Sequence, residues 1–329
     1  MRRLTALLLA ATLTASAQAA EERVLCVYDP MGTNGVAYKT ADSWRGVTAE
    51  RWGINFTLRA YIEEKTAGDD LAAGKCDAAV ITGVRARAFK LKSATIEAIG
   101  ALPTYPALKN TIFQLQRAEA AGLMKAGSWE TAAIYPAGAV YLFVRDASIR
   151  KSTQLAGKRI SAIADDDAAL TMIKEVGATG VGSSTADFGA KFNSGSVDAC
   201  YAPATAYKPL ELHRGLGAGG IIDFVLSQLT MQVVIKADRF PTGFGQWGRE
   251  YAYSQFDTVL AKVSAAEAEI KPKLLPIPEE DKPGYDQKFQ AVRVTLRDRG
   301  TYDAGILKVM KNIRCQMWKT RAECATSVE

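Results

Sequence analysis

Short apolar runs alternate with amphipathic segments along the first third of the chain. VLCVY (24–28) is β-branched, apolar and ended by Asp29-Pro30, a pattern that predicts a buried parallel strand. The same reading predicts strands at 24–28, 56–61 and 78–81 and helices at 36–52 and 70–73. Strands that alternate with helices favour an α/β fold with right-handed crossovers and a parallel sheet.

The second half of the chain repeats this plan. It predicts strands at 138–146 and 155–164, a helix at 168–176 and a helix-then-strand segment at 190–203. This last segment matches LAAGKCDAAVITG (71–83), because in both a helix ends on glycine and Asp-Ala soon begins a strand. The glycines, Gly74 and Gly195, suit the left-handed residue that closes a helix. We call 71–83 and 190–203 the twin segments. They predict two similar lobes that face each other across a cleft, with ligand at the carboxyl ends of the strands.

The last third of the chain changes from strands to helices. TMQVVIKADRF (230–240) predicts a strand that returns to the first lobe. A long helix without internal proline is expected from about Gly245 to Glu269, and its apolar residues recur at helical spacing. A final helical pair is expected at 285–299 and 303–314. The expected organisation is a leader at 1–19, lobe I at 20–139 plus 234–329, and lobe II at 140–233.

The N-terminus has the three parts of a secretory signal peptide. Arg2 and Arg3 precede an apolar run over 4–13, and small residues follow up to Ala19. That run is too short to span a bilayer comfortably. We expect cleavage near Ala19 and release of the chain into the periplasm.

Length and charge narrow the class of protein further. A chain of 329 residues is too long for one ordinary core, so two domains are expected. Loss of Arg2 and Arg3 with the leader lowers the formal net charge from +6 to +4. The remaining positive charges are scattered among acidic residues, which argues against nucleic acid as a partner.

Five cysteines in an exported chain indicate disulfides. A bridge between Cys315 and Cys324 would hold a C-terminal tail that otherwise frays. Cys26 and Cys76 both lie near the starts of predicted strands and form a second candidate pair, although a simple parallel register leaves them a few residues out of step. Cys200 is then a buried thiol.

Several motifs resemble one family of transport receptors. LAGKRISAIADDDAALTMIKEVGATGV (155–181), followed by FNSGSVDACYAP (192–203), resembles the second-lobe core of TRAP-type, DctP-like solute-binding proteins. A closer similarity is to AdeT-like solute-binding proteins, which are sometimes described as efflux-pump components. It is carried by CVYDPMGTNG, GKCDAAVITGVRAR, YKPLELHRGLG and FPTGFGQWGREYAYSQFD. The resemblance implies an α/β, two-lobed periplasmic binding protein of type II with a hinge. It also implies a small-molecule solute, a membrane permease as partner, a mostly monomeric chain and no cofactor.

The chain departs from the TRAP pattern where that family clamps a substrate carboxylate. Ser161 stands at the position of the family's arginine, and Ala202 stands at that of its asparagine. Arg159 lies two residues early on the same predicted strand. The organic-acid specificity of typical TRAP receptors therefore does not transfer to this chain.

Candidate ligand contacts are the loops at the carboxyl ends of the strands and the adjacent helix starts. They are Asp29, Met31, Gly32, Thr82, Arg85, Tyr141, Asp165, Asp166, Tyr201 and Pro203. Asp29 or Asp166 can equally serve as helix caps, and Tyr201 can equally be a core aromatic. Arg87 is interpreted as a surface charge. The acidic strand ends predict a solute with a cationic or polyol part, and Arg85 would take any anionic end.

The usual enzymatic and metal-binding constellations are missing from the sequence. His213 is the sole histidine, and no Gly-x-Ser-x-Gly elbow accompanies it. The glycine-rich stretch 215–220 formally matches a dinucleotide fingerprint, but it precedes a predicted strand and is interpreted as a flexible turn. Three functions are left: a solute receptor for a permease, an efflux-associated or structural envelope protein, and a periplasmic enzyme with an unrecognised site. The first is favoured.

Overall fold

The computed structural model describes residues 21–329. The predicted signal peptide and its cleavage near Ala19 lie outside the described residues. No helix in the described part is both long enough and apolar enough to cross a bilayer.

The elements of the first half follow the predicted alternation. In chain order they are β1 (Glu21–Tyr28), α1 (Val36–Trp52), β2 (Ile54–Tyr61), α2 (Glu64–Ala72), β3 (Ala78–Thr82), α3 (Gly83–Ala86), α4 (Tyr105–Leu115), β4 (Lys125–Ala126) and β5 (Trp129–Val144). Strand β5 begins nine residues before the start predicted at 138. The residues on both sides of Pro136 are mostly apolar and buried, so the strand continues through this proline.

The second half places its elements close to their predicted positions. They are β6 (Arg159–Ile163), α5 (Asp167–Glu175), β7 (Thr179–Ser183), α6 (Phe188–Asn193), β8 (Ala199–Pro203), α7 (Leu212–Leu216), β9 (Gly220–Ile222) and β10 (Ser227–Lys236). The C-terminal third holds α8 (Phe244–Ser254), α9 (Phe256–Ile270), β11 (Leu274–Leu275), α10 (Lys282–Asp298) and α11 (Ala304–Met317). The predicted final helical pair corresponds to α10 and α11.

The strands form one hydrogen-bonded path in the order β2-β1-β3-β10-β5-β8-β6-β7. Strands β1, β2 and β3 are mutually parallel, as are β6, β7 and β8. The two lobes are therefore joined through the long antiparallel strands β5 and β10 and do not have fully separate sheets. Residues 129–140 of β5 pair with β10, and residues 140–144 pair with β8.

The twin segments make the same contacts in the two lobes. Their glycines have φ of +73° and +79°, the left-handed backbone expected of a helix end. Asp77 accepts a 2.8 Å hydrogen bond from the backbone N–H of Val24 on β1. Asp198 accepts a 2.7 Å hydrogen bond from the backbone N–H of Arg159 on β6. Asp77 thus ties the start of β3 to β1, and Asp198 ties the start of β8 to β6.

The long helix expected from about Gly245 to Glu269 is interrupted at Gln255. The backbone N–H of Gln255 donates to the carbonyl of Ala252 at 3.1 Å, a three-residue contact that tightens the last turn of α8. Helix α9 then starts at Phe256, which is buried. The two helices together occupy almost the predicted range.

Both candidate cysteine pairs are bridged. The N-terminal disulfide joins Cys26 and Cys76 with 6.0 Å between the Cα atoms, and the C-terminal disulfide joins Cys315 and Cys324 with 5.6 Å. Cys26 lies opposite Ala79 in the β1–β3 register. The bridge spans that offset because Cys76 lies in the loop before β3. Burial raises the pKa of the free thiol of Cys200.

A buried ionic network holds the C-terminal segment to the helical pair. Glu323 accepts hydrogen bonds from Arg314 at 2.7 and 2.8 Å and from Arg293 at 3.1 Å. Burial alone would raise the pKa of Glu323, but the hydrogen bonds and charges of Arg314 and Arg293 lower it to about 2.

Candidate functional site

A cavity of about 370 Å³ opens among the carboxyl ends of the lobe I strands, the start of α1 and the end of β8. We call it the main cavity. Of the predicted contacts, six line it: Asp29, Met31, Thr82, Asp166, Tyr201 and Pro203. The other four, Gly32, Arg85, Tyr141 and Asp165, are absent from its lining.

Asp29 is a helix cap as well as a wall of the main cavity. Its Oδ2 accepts from the backbone N–H groups of Ala37 at 2.8 Å and Tyr38 at 3.2 Å, at the start of α1. Its Oδ1 accepts from the N–H of Met31 at 2.9 Å. Both oxygens are thus committed to the backbone, which matches the capping interpretation. The side chain of Met31 is exposed at the mouth of the cavity.

Asp166 joins the two lobes through an ion pair with Arg87. Arg87 Nη1 donates to Asp166 Oδ1 at 2.8 Å, and the guanidinium lies over the Tyr302 ring, 5.5 Å from its centroid. The interpretation of Arg87 as a surface charge is wrong, since its side chain is only 16% exposed. Asp166 Oδ1 also caps α5 by accepting from the N–H of Ala169 at 3.3 Å.

Arg85 and Asp165 neutralise each other at the rim of the cleft. Two guanidinium nitrogens of Arg85 donate to the two oxygens of Asp165 at 2.5 and 3.2 Å. The hydrogen bond from Arg85 lowers the pKa of Asp165. The expectation that Asp165 faces a cation and Arg85 an anion is therefore not met, because the two side chains face one another.

Tyr141 and Gly32 also lie away from the cavity lining. Tyr141 pairs with Ala202 between β5 and β8. Burial, followed by the nearby charge of Glu267 on α9, raises the pKa of Tyr141. Gly32 has a φ of +56° in the turn before α1, so its role is in the backbone path of that turn.

The positions of the carboxylate clamp carry no positive charge. Ser161 is fully buried, and its hydroxyl is hydrogen bonded to that of Ser183 at 2.8 Å. Ala202 lines the main cavity. Arg159 is exposed and contacts Asp198, so it does not substitute for the missing arginine. Among residues 21–329, no lysine, arginine or histidine lines the main cavity.

Three buried polar residues of the main cavity were not among the predicted contacts. Glu64 accepts from the backbone N–H of Thr82 at 2.6 Å, and burial raises the pKa of Glu64. The indole N–H of Trp44 and the hydroxyl of Tyr135 are buried and have no hydrogen-bond partner within residues 21–329. Trp44 projects from the interior of α1 and Tyr135 from the first half of β5. Neither position is a strand end, so the rule used for prediction could not select them.

A second cavity of about 110 Å³ lies directly behind the first. We call it the rear chamber. Glu97 lines it and is 4% exposed. Burial raises the pKa of Glu97 to about 7, against the lowering effects of hydrogen bonds from Thr230 and of the charge of Arg87.

His213 and the glycine-rich stretch, the two features considered for enzymatic chemistry, make packing contacts. The ring of His213 on α7 packs edge-on against Tyr207, with centroids 6.0 Å apart. The glycine-rich stretch 215–220 begins in the last two residues of α7 and ends at the first residue of β9, so it connects a helix to a strand and not a strand to a helix. A Cβ at Gly219 would lie 1.9 Å from the carbonyl oxygen of Val144, so this glycine permits close approach of two backbones. Residues 21–329 contain no cluster of metal-ligating side chains.

The family model and the relatives that match this chain are all solute-binding proteins. The model of the family described as "Solute-binding protein AdeT 1/2" matches residues 41–329. A relative from Acinetobacter baumannii, "Probable solute-binding protein AdeT1", is 34% identical over 92% of this chain and all of its own length. "Probable solute-binding protein AdeT2" from the same species is 23% identical over 66% of this chain and 92% of its own.

Solved structures of TRAP periplasmic solute-binding proteins share the fold. One from Ralstonia eutropha with bound (S)-2-acetolactate has a TM-score of 0.74 at 13% identity, covering 90% of this chain and 99% of that one. One from Shewanella oneidensis with bound succinate has a TM-score of 0.71 at 9% identity, covering 90% and 99%. The likeness confirms the predicted two-lobed α/β fold.

Proposed function

Because the chain belongs to the AdeT 1/2 family of solute-binding proteins, we propose that it captures a largely apolar, neutral or cationic solute between its lobes. The solute is then passed to a membrane permease. The chain performs no catalysis in this scheme. The predicted leader, if cleaved near Ala19, delivers the receptor to the periplasm, the compartment of the TRAP proteins that share its fold.

The proposal rests on one observation, the charge of the main cavity. Its ionisable acids are Asp29, Glu64 and Asp166, and no basic side chain within residues 21–329 accompanies them in the lining. A carboxylate taken into such a site loses its hydration without gaining a cation, which costs several kcal/mol. The TRAP proteins compared above hold carboxylate ligands, acetolactate and succinate. With serine and alanine at the clamp positions, this chain favours a different solute.

Two buried donors in the lining support the presence of polar atoms on that solute. Trp44 can only donate through its indole N–H, and Tyr135 can donate through its hydroxyl. Buried donors without partners cost about 1–3 kcal/mol each. Carbonyl, ether or hydroxyl oxygens on the solute would satisfy them, whereas the valine and methionine side chains of the lining favour an apolar body.

We further propose that the lobes close by bending at β5 and β10. Gly138 on β5 has a φ of +128°, and the β5–β10 register shifts beside it between Leu229 and Thr230. Lobe II then ends near Leu229, earlier than the expected boundary at 233, because Met231 already pairs with β3. Lobe I then comprises residues 21–139 and most of the chain after Leu229, whereas β11 pairs with β9 of lobe II.

Contacts between the lobes support a closed conformation as part of this proposal. Besides the two arginine–aspartate pairs, Thr185 of lobe II donates to Glu63 of lobe I at 2.8 Å and accepts from the backbone N–H of Glu64 at 3.2 Å. A solute that binds the closed state more tightly than the open state shifts the population toward closure. The closed form is what the permease would recognise.

Calorimetry with three compounds of one carbon skeleton tests the proposal. Hexylammonium chloride, 1-hexanol and sodium hexanoate differ only in their end group. We expect the first two to bind and hexanoate not to bind. Ala137→Trp, which fills the main cavity, should abolish binding. Ala190→Trp adds the same ring at an exposed position of α6 and should leave binding intact. Hexanoate binding, or equal binding to both tryptophan variants, would refute the proposal.

A further inference from the structure

Only a few side chains separate the rear chamber from the main cavity. The two cavities share as walls Val84, Val140, Asp166, Tyr201 and Leu229. Tyr201 makes two long polar contacts in this partition: its Oη donates to Asp166 Oδ2 at 3.5 Å and accepts from the backbone N–H of Ile163 at 3.2 Å. Turning the Tyr201 side chain aside would break these two hydrogen bonds and leave the Arg87–Asp166 ion pair in place. The rear chamber can be reached from the solute site.

Glu97 places a buried and only partly hydrogen-bonded carboxylate in the wall of the rear chamber. Glu97 Oε1 accepts from the N–H of Gly83 at 2.8 Å and from the N–H and hydroxyl of Thr230 at 2.8 and 2.7 Å. Glu97 Oε2 is buried and has no hydrogen-bond partner within residues 21–329. A buried carboxylate oxygen without a partner is costly, so this atom marks a position at which a donor would bind.

The charges around the rear chamber favour a cation as that donor. Three charged side chains line it: Arg87, Asp166 and Glu97. Arg87 and Asp166 form an ion pair at 2.8 Å and cancel each other. The carboxylate of Glu97 leaves a net negative charge when it is ionised. An ammonium group there would gain both a charge-assisted hydrogen bond and charge balance.

The remaining walls fit a short hydrocarbon stem. Leu142, Met172, Phe224, Tyr285 and Phe289 contribute apolar and aromatic surface. The volume of about 110 Å³ suits a compact head group on a few methylenes and is too small for the whole solute. The solute is then elongated, with its bulk in the main cavity.

We propose that the rear chamber binds the primary ammonium end of the solute, with Glu97 Oε2 as its acceptor. This inference rests on the proposed function and narrows the solute to an elongated amine. A neutral alcohol would occupy the main cavity without depending on Glu97.

Calorimetry on two variants tests this assignment at pH 8.5. At that pH Glu97 is ionised, because its pKa is about 7. The alkylamine is still protonated, because an alkylammonium group has a pKa close to the lysine value of about 10.4. Glu97→Gln keeps the Oε1 acceptor and removes the charge. Ala169→Leu fills the rear chamber from α5 without changing any charge. Hexylammonium and 1-hexanol are titrated into each variant and into the unchanged protein.

We expect each variant to bind hexylammonium at least tenfold more weakly and 1-hexanol within about twofold of the unchanged protein. Retained 1-hexanol binding shows that both variants are folded. Unchanged hexylammonium affinity in Glu97→Gln would overturn the ammonium site and leave the proposed function intact. If neither compound binds the unchanged protein, the proposed function itself fails.

Discussion

Replacing Glu97 with glutamine should make the stability of the unliganded protein less sensitive to pH. Moving the pKa of Glu97 from its ordinary 4.5 to about 7 corresponds to about 3 kcal/mol, since each pKa unit is worth about 1.4 kcal/mol. The folded state binds this proton more tightly than the unfolded state. The protein therefore loses that free energy of unfolding as pH rises from about 4.5 to about 7, and the loss is constant above pH 7.

Glutamine has nearly the same shape as glutamic acid but does not titrate. We expect the free energy of unfolding of Glu97→Gln, minus that of the unchanged protein, to increase by about 3 kcal/mol between pH 4.5 and pH 8.5. Comparing two pH values cancels any constant cost of placing an amide in the chamber. The assay is urea denaturation at both pH values with the disulfides oxidised.

The same substitution at Glu175, which is exposed on α5, controls for the removal of one acidic charge. A difference for Glu97→Gln that is equal at the two pH values would show that Glu97 is not a strained buried carboxyl. A difference that decreases with rising pH would show that the carboxylate is stabilised in the fold. Either result would contradict the reasoning that burial leaves the carboxylate of Glu97 incompletely satisfied.

Three further predictions concern parts of the molecule outside the rear chamber. Glu323→Gln should lower the free energy of unfolding by about 3 kcal/mol near neutral pH, because the pKa of Glu323 is lowered from 4.5 to about 2. This loss should disappear as pH falls from 4.5 toward 2. A loss that does not depend on pH in urea denaturation would contradict this prediction. Replacing both cysteines of the N-terminal disulfide with alanine should lower the free energy of unfolding by about 4 kcal/mol, because the disulfide closes a loop of 50 residues in the unfolded chain. The same change at the C-terminal disulfide, with a separation of 9, should lower it by about 2.5 kcal/mol. Equal losses in denaturation would contradict the idea that loop closure in the unfolded chain sets the stabilisation. Arg85→Gln removes a partly exposed pair between the lobes worth up to about 1 kcal/mol, so the radius of gyration in solution scattering should increase. Arg214→Gln is the control, because its pair with Glu211 lies within one lobe. An equal change in both variants would contradict a role of the Arg85–Asp165 pair in holding the lobes together.

The twin segments could be predicted because local chemistry specifies them. A glycine in left-handed backbone closes a helix in any context, and an aspartate at a strand start finds the N–H groups of the neighbouring strand. The cap formed by Asp29 follows from similar local rules. Fold class and the approximate element positions depend on such signals, which lie within a few residues of one another.

The contents of the site depend on contacts between distant residues. Arg87 and Asp166 are 79 positions apart, and Arg85 and Asp165 are 80 apart. Each pair neutralises residues that the sequence presents as separate candidates for binding a ligand. Glu97 was not selected because it lies in a helical stretch between predicted elements. Its unused oxygen is evident only once the walls around it are assembled.

The central claim, that the receptor holds a solute without a carboxylate, is tested most directly by identifying what it carries. The full chain would be exported in cells, purified from the periplasm without denaturant and measured by native mass spectrometry, with the released solute analysed separately. We expect a neutral or amine-bearing molecule that is retained by Ala190→Trp and lost from Ala137→Trp. A carboxylate, sulfonate or phosphate released from the unchanged protein and lost from Ala137→Trp would contradict the claim.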